Sequence, residues 1–282
     1  MLDIVKFTMA CHTIRPLPVY TLIEALWRMF EPNSTIGWSI GRLRSTALDL
    51  IAFLRAPVPA LPANGEERRA ADVAWLLLLN ALVVAAIVAV LFPIMTLFGV
   101  EMSGDMAALF NRPLWQIILL VVIVGPITEE LVFRAWIVGT GRWLVIFAGL
   151  LAWLGGSYLL QQPELAELGE NAPLILIAIL SLAVIIGLIR FWKSPVPRCY
   201  VRIFPLVFWG QALVFGFVHV FNYAGDNPAA ALPFVLPQLV GGLIWGYARI
   251  RYGWWANIIM HMVYNLLATS GLIYMLVMQP GG

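Results

Sequence analysis

Long apolar segments separated by short polar ones set the pattern of this chain. Each segment can cross about 30 Å of hydrocarbon as a helix that rises 1.5 Å per residue. Lipid offers backbone groups no hydrogen-bond partner, and the alternation typical of a barrel strand is not visible, so helices are expected throughout. The pattern predicts seven membrane-spanning helices, near residues 73–99, 114–138, 143–160, 173–192, 204–222, 229–248 and 253–278.

Composition agrees with an all-α, polytopic membrane protein. Of 282 residues, 62% are hydrophobic and 11% are charged, and the mean hydropathy is +0.90, whereas soluble domains carry about 25% charged residues. Cys11 and Cys199 are too few for a disulfide framework. The net charge of +2 gives no reason to expect a nucleic-acid partner. The expected surroundings are a lipid bilayer, and the arginine- and alanine-rich composition suits a bacterial inner membrane.

Basic residues predict the orientation. With the N-terminus in the cytoplasm, fifteen of the seventeen Lys and Arg residues fall on the cytoplasmic side. Arg112 lies outside and Arg134 lies within the membrane. The loop QQPELAELGENAP carries three glutamates and no basic residue, as an external loop can. This asymmetry supports both the seven spans and the cytoplasmic N-terminus.

Residues 1–72 are predicted to be a cytoplasmic segment with amphipathic helices. In GWSIGRLRSTALDLIAFLR, apolar residues from Ile36 to Leu54 recur at steps of three and four, with Arg42, Arg44 and Asp49 off that stripe. VYTLIEALWRMF has a similar pattern. Such helices lie at the membrane interface or pack on the transmembrane bundle, and the sequence leaves both open.

The second predicted span carries charges in its middle. The stretch GPITEELVFR, residues 125–134, holds two carboxylates and an arginine, and each charge at a helix centre costs roughly 2.5–3.5 kcal/mol. Glu130 and Arg134 are four residues apart on one helix face, as in an ion pair that ties helices together. Glu129 points about 100° away and is free to face a cavity. A structural ion pair alone leaves Glu129 unexplained.

Two further spans contribute histidines. In ALVFGFVHVFNY, Phe215 and His219 share a face, and in WANIIMHMVYNLL the residues Asn257, His261 and Asn265 form a stripe. Taken singly, these residues are explained as a core histidine and as polar contacts between helices. Their combination with the acidic pair calls for a common explanation.

Depth brings the three groups together. Counted from the cytoplasmic ends, Glu129 lies about 14 Å deep, His261 about 12 Å and His219 about 22 Å, which allows one layer near mid-membrane. A carboxylate with a histidine can take a proton from water, while a second imidazole and a carboxamide donate to an oxyanion. Alternatively, the three groups ligate a divalent metal that activates the water. Either assembly predicts peptide-bond hydrolysis inside the membrane.

Three motifs in this order resemble those of the CPBP family of intramembrane proteases, which includes type II CAAX prenyl endopeptidases and bacteriocin-processing relatives. They are Glu-Glu-x-x-x-Arg at 129–134, Phe-x-x-x-His at 215–219 and His-x-x-x-Asn at 261–265. The resemblance covers about 114–278, the protease-like core of a transmembrane domain at 73–279. The first two motifs are farther apart than is usual in the family, and the excess matches an extra hairpin near 143–192.

The resemblance implies roles for these residues. Glu129 activates water with help from His219, and His261 and Asn265 hold the oxyanion. The supporting positions are Glu130, Arg134, Phe215 and Asn257. The family is often described as metalloproteases, and a zinc ion would then bind Glu129, His219 and His261. A metal-free mechanism that requires no cofactor is favoured, because no second carboxylate is evident behind the histidines.

The leading hypothesis is an intramembrane endopeptidase that acts on membrane-embedded or lipid-anchored proteins and peptides. The main alternative is a non-catalytic membrane scaffold or immunity-type peptide-binding protein of the same fold, which has no need of Glu129, His219 and His261 together. A proton-coupled transporter is a third hypothesis, disfavoured because no inverted repeat is visible.

The orientation gives a first prediction. In a chain without Cys11 and Cys199, a cysteine introduced as Glu167→Cys is expected to react with a membrane-impermeant maleimide on intact cells, because the 164–170 loop is external. A Lys193→Cys control is expected to react only after the membrane is permeabilised. Labelling of Glu167→Cys from the cytoplasm alone would show that the spans are miscounted.

Overall fold

Helices make up nearly all of the chain that is described. The structure is a computed structural model that describes residues 36–60, 66–162, 171–223 and 228–278. Within these ranges no β-strand forms, and one isolated antiparallel bridge joins Met102 to Tyr223. The helices are α1 (Ile36–Arg55), α2 (Glu66–Leu97), α3 (Gly104–Phe110), α4 (Leu114–Val138), α5 (Gly141–Leu160), α6 (Ala172–Phe191), α7 (Arg198–Val218), α8 (Leu236–Arg251) and α9 (Trp254–Met278).

Within the described ranges, five helices are long and apolar enough to cross a membrane. They match the first five predicted segments and cover Ala70–Leu97, Leu114–Val138, Gly141–Leu160, Ala172–Phe191 and Arg198–Asn222. In the last of these, α7 continues as a 3-10 turn, His219–Asn222. The all-helical prediction and the multi-pass membrane character are therefore confirmed. Helix α9 covers the seventh predicted segment with 25 residues.

The sixth predicted segment, 229–248, is wrong as one continuous helix. Two short helical turns, Pro228–Ala231 and Leu232–Val235, come first, and α8 begins only at Leu236. Pro233 and Pro237 account for these breaks, because proline has no N–H to donate along a helix. With 16 residues, α8 measures about 24 Å, which is less than the roughly 30 Å of a hydrocarbon core.

The core lies around α8. Most residues of α8 are buried, and α2, α7 and α9 all pack against it. Three phenylalanines of α7, Phe204, Phe208 and Phe215, are fully buried in this core together with Trp245 of α8. Glycines allow close approach, since a Cβ on Gly216 would come within 3.1 Å of the Leu239 side chain. Helix α8 is thus a central rod rather than a lipid-facing span.

The N-terminal helix α1 packs on the bundle. Its Phe53 ring lies 4.9 Å from that of Phe208 and 5.1 Å from that of Tyr247, measured between centroids. The Arg42 guanidinium pairs with the Asp72 carboxylate of α2 at 2.5 Å. Of the two possibilities that the sequence left open for this segment, packing is the one observed. The earlier stretch VYTLIEALWRMF lies outside the described residues.

Helices α5 and α6 form an antiparallel hairpin beside the core. They pack mainly on each other, and Gly149 faces Val184 while Gly156 faces Leu176. Their apolar side chains are largely exposed, and neither hairpin helix has a buried residue in its most apolar stretch. The hairpin therefore presents its surface to lipid. The polar residues at the centre of the bundle come from α4, α7, α8 and α9.

Candidate active site

Helix α4 changes its winding just before the acidic pair. Residues Ile118–Val124 form a π-helical turn, and α-helical winding resumes at Gly125–Phe133. Pro126 provides a reason, because the ring of a proline clashes with the carbonyl four residues earlier in a regular α-helix. A wider turn relieves that clash, and such π-turns are frequent at functional sites.

The buried centre of the site is the Glu130 carboxylate, which is fully shielded from solvent. Arg134 and Asn257 donate hydrogen bonds to it, and Nδ1 of His261 lies 2.8 Å from its Oε1. A buried charge is tolerated only when it is paired and hydrogen-bonded. The predicted Glu130–Arg134 pair on one helix face therefore forms, and it also joins α4 to α9.

The guanidinium of Arg134 lies between aromatic rings as well as beside its carboxylate. Its central carbon is 4.1 Å from the Phe215 ring centroid and 5.3 Å from that of Trp245. Both rings offer a negative face to the cation, which is worth most where water is excluded. Phe215, predicted as a supporting residue, thus contacts the buried arginine.

Glu129 faces the two histidines. Its Oε2 lies 3.9 Å from Nε2 of His219 and 3.7 Å from Nε2 of His261. The Glu129 side chain keeps 34% of its surface exposed, yet Oε2 itself is buried and has no hydrogen-bond partner. The structure therefore brings all three predicted groups to one point. Glu130 is thus buried among hydrogen-bond donors while Glu129 faces the histidines, as the 100° rotation between adjacent residues of a helix predicted.

Hydrogen bonds set the tautomers of both imidazoles. Nδ1 of His219 is 2.6 Å from the Phe215 carbonyl oxygen, and Nδ1 of His261 is 2.8 Å from Glu130. Both partners are acceptors, so each Nδ1 carries the hydrogen, and the neutral rings present an unprotonated Nε2 toward Glu129. The tautomers assigned on this basis make both Nε2 atoms proton acceptors.

A cavity of about 380 Å³ opens beside these atoms. Polar groups of four elements converge on it within an otherwise apolar wall, the usual form of a ligand site. Its polar lining residues are Glu129, His219, Asn222, Gln238, His261, Asn265 and Thr269, and Leu120, Val121, Trp245 and Tyr264 are among the others. The amide nitrogen of Asn265 donates to the Val121 carbonyl at 2.8 Å.

Two residues with clear contacts to the site escaped the sequence analysis. The Trp245 ring stacks on His261 at 4.0 Å between centroids and is almost fully buried. Arg249 donates to the carbonyls of Arg134 and Ala135 at 3.3 and 2.9 Å, and so satisfies the break in α4 that follows Phe133. A tryptophan in an apolar run carries no signal of its own, and Arg249 was counted only as a marker of orientation.

A metal ion at this site would bind Glu129, His219 and His261. Among the described residues, no set of three or more His, Cys, Asp and Glu side chains is arranged to hold one. The reason given from the sequence for preferring metal-free chemistry is nevertheless wrong, because Glu130 stands behind His261 as the orienting carboxylate. The donor chemistry therefore suits zinc, whereas the arrangement of these groups in the described part of the chain does not.

Comparisons with known proteins agree with the motifs. A family model described as type II CAAX prenyl endopeptidase Rce1-like matches residues 111–267, more than half of the chain. The chain belongs to the Rce1-like family. No curated protein and no solved structure matches it. The matched range of this Rce1-like chain holds Glu129, His219, His261 and Asn265, and the earlier resemblance is confirmed at the level of the family.

The acidic pair of this Rce1-like protein gives a second prediction. Glu130→Gln is expected to lower the free energy of unfolding by about 3–5 kcal/mol, because Arg134 is left buried without its counter-charge. Glu129→Gln is expected to change it by less than about 1 kcal/mol, since the lost charge has no hydrogen-bond partner. Unfolding of both variants by SDS in mixed micelles measures the contrast. Equal losses would contradict the assigned division of roles.

Proposed function

We propose that this chain is an intramembrane endopeptidase that hydrolyses a peptide bond in a membrane-embedded or lipid-anchored substrate. The family supports a peptide hydrolase. One observation supports the chemistry above all: the buried Oε2 of Glu129 has no partner and lies within 4 Å of both imidazole Nε2 atoms. A water molecule between these atoms can donate its two hydrogens to Glu129 and to Nε2 of His219, and a substrate carbonyl can reach it from the cavity.

In the proposed reaction, Glu129 is the general base. It takes one proton from the water while the water oxygen bonds to the carbonyl carbon of the substrate. Nε2 of His219 accepts a hydrogen bond from the remaining water hydrogen and holds the oxygen in line. When the carbon–nitrogen bond breaks, Glu129 returns its proton to the leaving amine. Proton and electron pairs balance without any further reagent.

The developing oxyanion needs donors on the opposite side of the carbonyl. A carboxamide has two N–H groups, and Asn265 gives one to Val121, so the other can serve the cavity. His261 donates through Nε2 only in its doubly protonated form, because its Nδ1 hydrogen already serves Glu130. The Glu130 carboxylate stabilises that form, so the role that the family implies for His261 has a physical basis.

The charge of the buried cluster supports this picture. With Glu129 and Glu130 ionised and Arg134 protonated, the cluster carries one net negative charge. One further proton, shared among Glu129, His219 and His261, makes it neutral, which burial favours. When this further proton is on His261, it supplies the Nε2–H that the oxyanion needs, and Glu129 stays ionised to take a proton from the water.

The substrate class follows from the position of the site. The wall of the cavity includes apolar side chains of α3, α4 and α9, so an apolar or lipid-modified segment is a better partner than a soluble peptide. Prenylated CAAX tails are one candidate, suggested by the family description. The bacterial character of the composition favours other lipid-anchored or membrane-spanning peptides.

Seven spans with a cytoplasmic N-terminus, in a bacterial inner membrane, complete the proposal. The uneven distribution of Lys and Arg supports this orientation. The short α8 then needs the turns before it to complete its crossing. In this orientation the cavity extends from Glu129 toward the external leaflet, because Leu120, Asn222 and Thr269 lie toward the external ends of their helices.

Replacement of the base gives a third prediction. Glu129→Gln in proteoliposomes is expected to lower the turnover of a membrane-inserted peptide at least about 100-fold, since a carboxamide cannot take the proton. Glu101→Gln, an exposed neighbour of the bundle, is the matched control and keeps the wild-type rate. A panel of prenylated CAAX peptides and unmodified transmembrane peptides identifies the substrate class.

Wild-type turnover by Glu129→Gln would show that Glu129 is not the base. Peptides that accumulate in cells carrying this variant are the native substrates to test next. Tight binding of peptides from the panel by the wild-type chain, without cleavage of any of them, would favour the peptide-binding scaffold instead.

Metal content gives a fourth prediction. The metal-free mechanism predicts less than about 0.1 zinc per chain in purified, active protein, and activity that survives dialysis against a chelator. Stoichiometric zinc that is lost in His261→Ala, together with activity, would replace it by a zinc mechanism with Glu129, His219 and His261 as ligands.

A further inference from the structure

The π-turn of α4 leaves one backbone carbonyl without a helical partner. In a regular α-helix the Gly125 N–H would donate to Val121, but here it donates to Leu120, five residues back. In a continued π-turn the donor to Val121 would be residue 126, which is proline and has no N–H. The Val121 carbonyl is therefore excluded from both patterns of winding.

This free carbonyl is satisfied from another helix. Nδ2 of Asn265 on α9 donates to the Val121 oxygen at 2.8 Å. Inside a membrane, backbone groups freed by a proline must find a neighbouring side chain or water. The asparagine thus completes the π-turn, and it does so only because Pro126 withholds the usual donor.

The residue at the end of the π-turn, Gly125, has no room for a side chain. A Cβ on Gly125 would lie 2.9 Å from the Leu120 oxygen, so this position fits glycine and no larger residue while the turn persists. Glu129 follows Gly125 by one helical turn, and its direction depends on where the π-turn ends.

Asn265 and His261 are one turn apart on α9 and contact the same stretch of α4. His261 contacts Glu130 and faces Glu129, while Asn265 holds Val121. On α4, the contact at Val121 precedes Gly125 and the contact at Glu130 follows it. These two contacts together fix the offset between α4 and α9 along their axes. They thereby also fix the position of Glu129 between the imidazoles.

We propose that Asn265 is a positioning residue, whose hydrogen bond to the carbonyl freed by Pro126 holds the π-turn and so places Glu129 between His219 and His261. This inference rests on the proposed function for its catalytic consequence. It is additional to any donation by Asn265 to an oxyanion, because the two N–H groups of the carboxamide serve different acceptors.

A double-mutant cycle between Asn265 and Pro126 tests the proposal. In Pro126→Ala, the new N–H can donate to Val121 and replace the asparagine. Asn265→Ala removes both contacts of the carboxamide in the Pro126 chain but only the oxyanion contact in the Pro126→Ala chain. It is therefore expected to lower kcat/KM at least about tenfold more in the Pro126 chain than in the Pro126→Ala chain. Equal losses in both backgrounds would overturn the positioning role.

Asn257 supplies the matched control. It has the same side chain on the same helix but donates to Glu130 instead of a backbone carbonyl. Pro126→Ala is not expected to relieve Asn257→Ala. Relief of both variants would show a general effect of the substitution and would overturn the specific link to Val121.

The pH profile separates positioning from oxyanion donation. A displaced Glu129 changes its distances to His219 and His261, while Glu130 and Arg134 remain on its own helix. Asn265→Ala is therefore expected to shift the acidic side of the kcat/KM profile by about half a pH unit or more, and the double variant to restore it. A uniform loss with an unchanged profile would overturn the positioning role.

The midpoint of thermal unfolding in detergent gives a readout that needs no substrate. Asn265→Ala is expected to lower the Tm in the Pro126 chain and to have less effect in the Pro126→Ala chain. If Asn265→Ala prevents folding, recovery of folded protein in the double variant is the same result. Absence of turnover by the wild-type chain would contradict the proposed function. Additive effects of Asn265→Ala and Pro126→Ala on the Tm would instead contradict this inference.

Discussion

The site depends on a buried carboxylate that holds polar groups of two helices in place. Glu130 accepts hydrogen bonds from Arg134, Asn257 and His261 and is fully shielded. Desolvating such a charge costs several kcal/mol, so its partners must all be present in the folded protein. The requirement joins α4 to α9, and the aromatic rings over Arg134 extend it to α7 and α8. The rigid part of the site is therefore electrostatic in origin.

This arrangement leaves the adjacent carboxylate free for chemistry. A helix turns 100° per residue, so neighbouring acids cannot share one set of partners. Glu130 takes the arginine and the amide, while Glu129 faces a cavity with an unpaired oxygen. An uncompensated buried oxygen is costly in a purely structural protein. Its presence beside two oriented imidazoles is what a water-activating site requires.

The sequence predicted much of this because its signals were local. Helical periodicity placed Glu130 with Arg134 and Glu129 elsewhere, and hydropathy placed five helices correctly. Depth counted at 1.5 Å per residue placed His219 and His261 in one layer, although they meet more closely than that count implied. These predictions rest on spacing within single helices, which tertiary packing did not alter.

What the sequence missed arises between helices or from proline. The contact of His261 with Glu130 and the stacking of Trp245 depend on the rotation of α8 and α9 about their axes, which no single helix encodes. Pro233 and Pro237 broke the predicted sixth span, and their position in an apolar run was an available signal.

Pro126 is the most instructive case. It lies in the middle of a span, immediately before the acidic pair, where an interior proline costs a helix about 3 kcal/mol or more. The π-turn relieves the steric clash of the proline, and Asn265 of α9 supplies the hydrogen bond that the Val121 carbonyl then lacks. A defect in the backbone thereby becomes a specific contact between two helices. Asn265, which makes this contact, also lines the cavity, so one side chain both satisfies the backbone of α4 and borders the polar groups of the site.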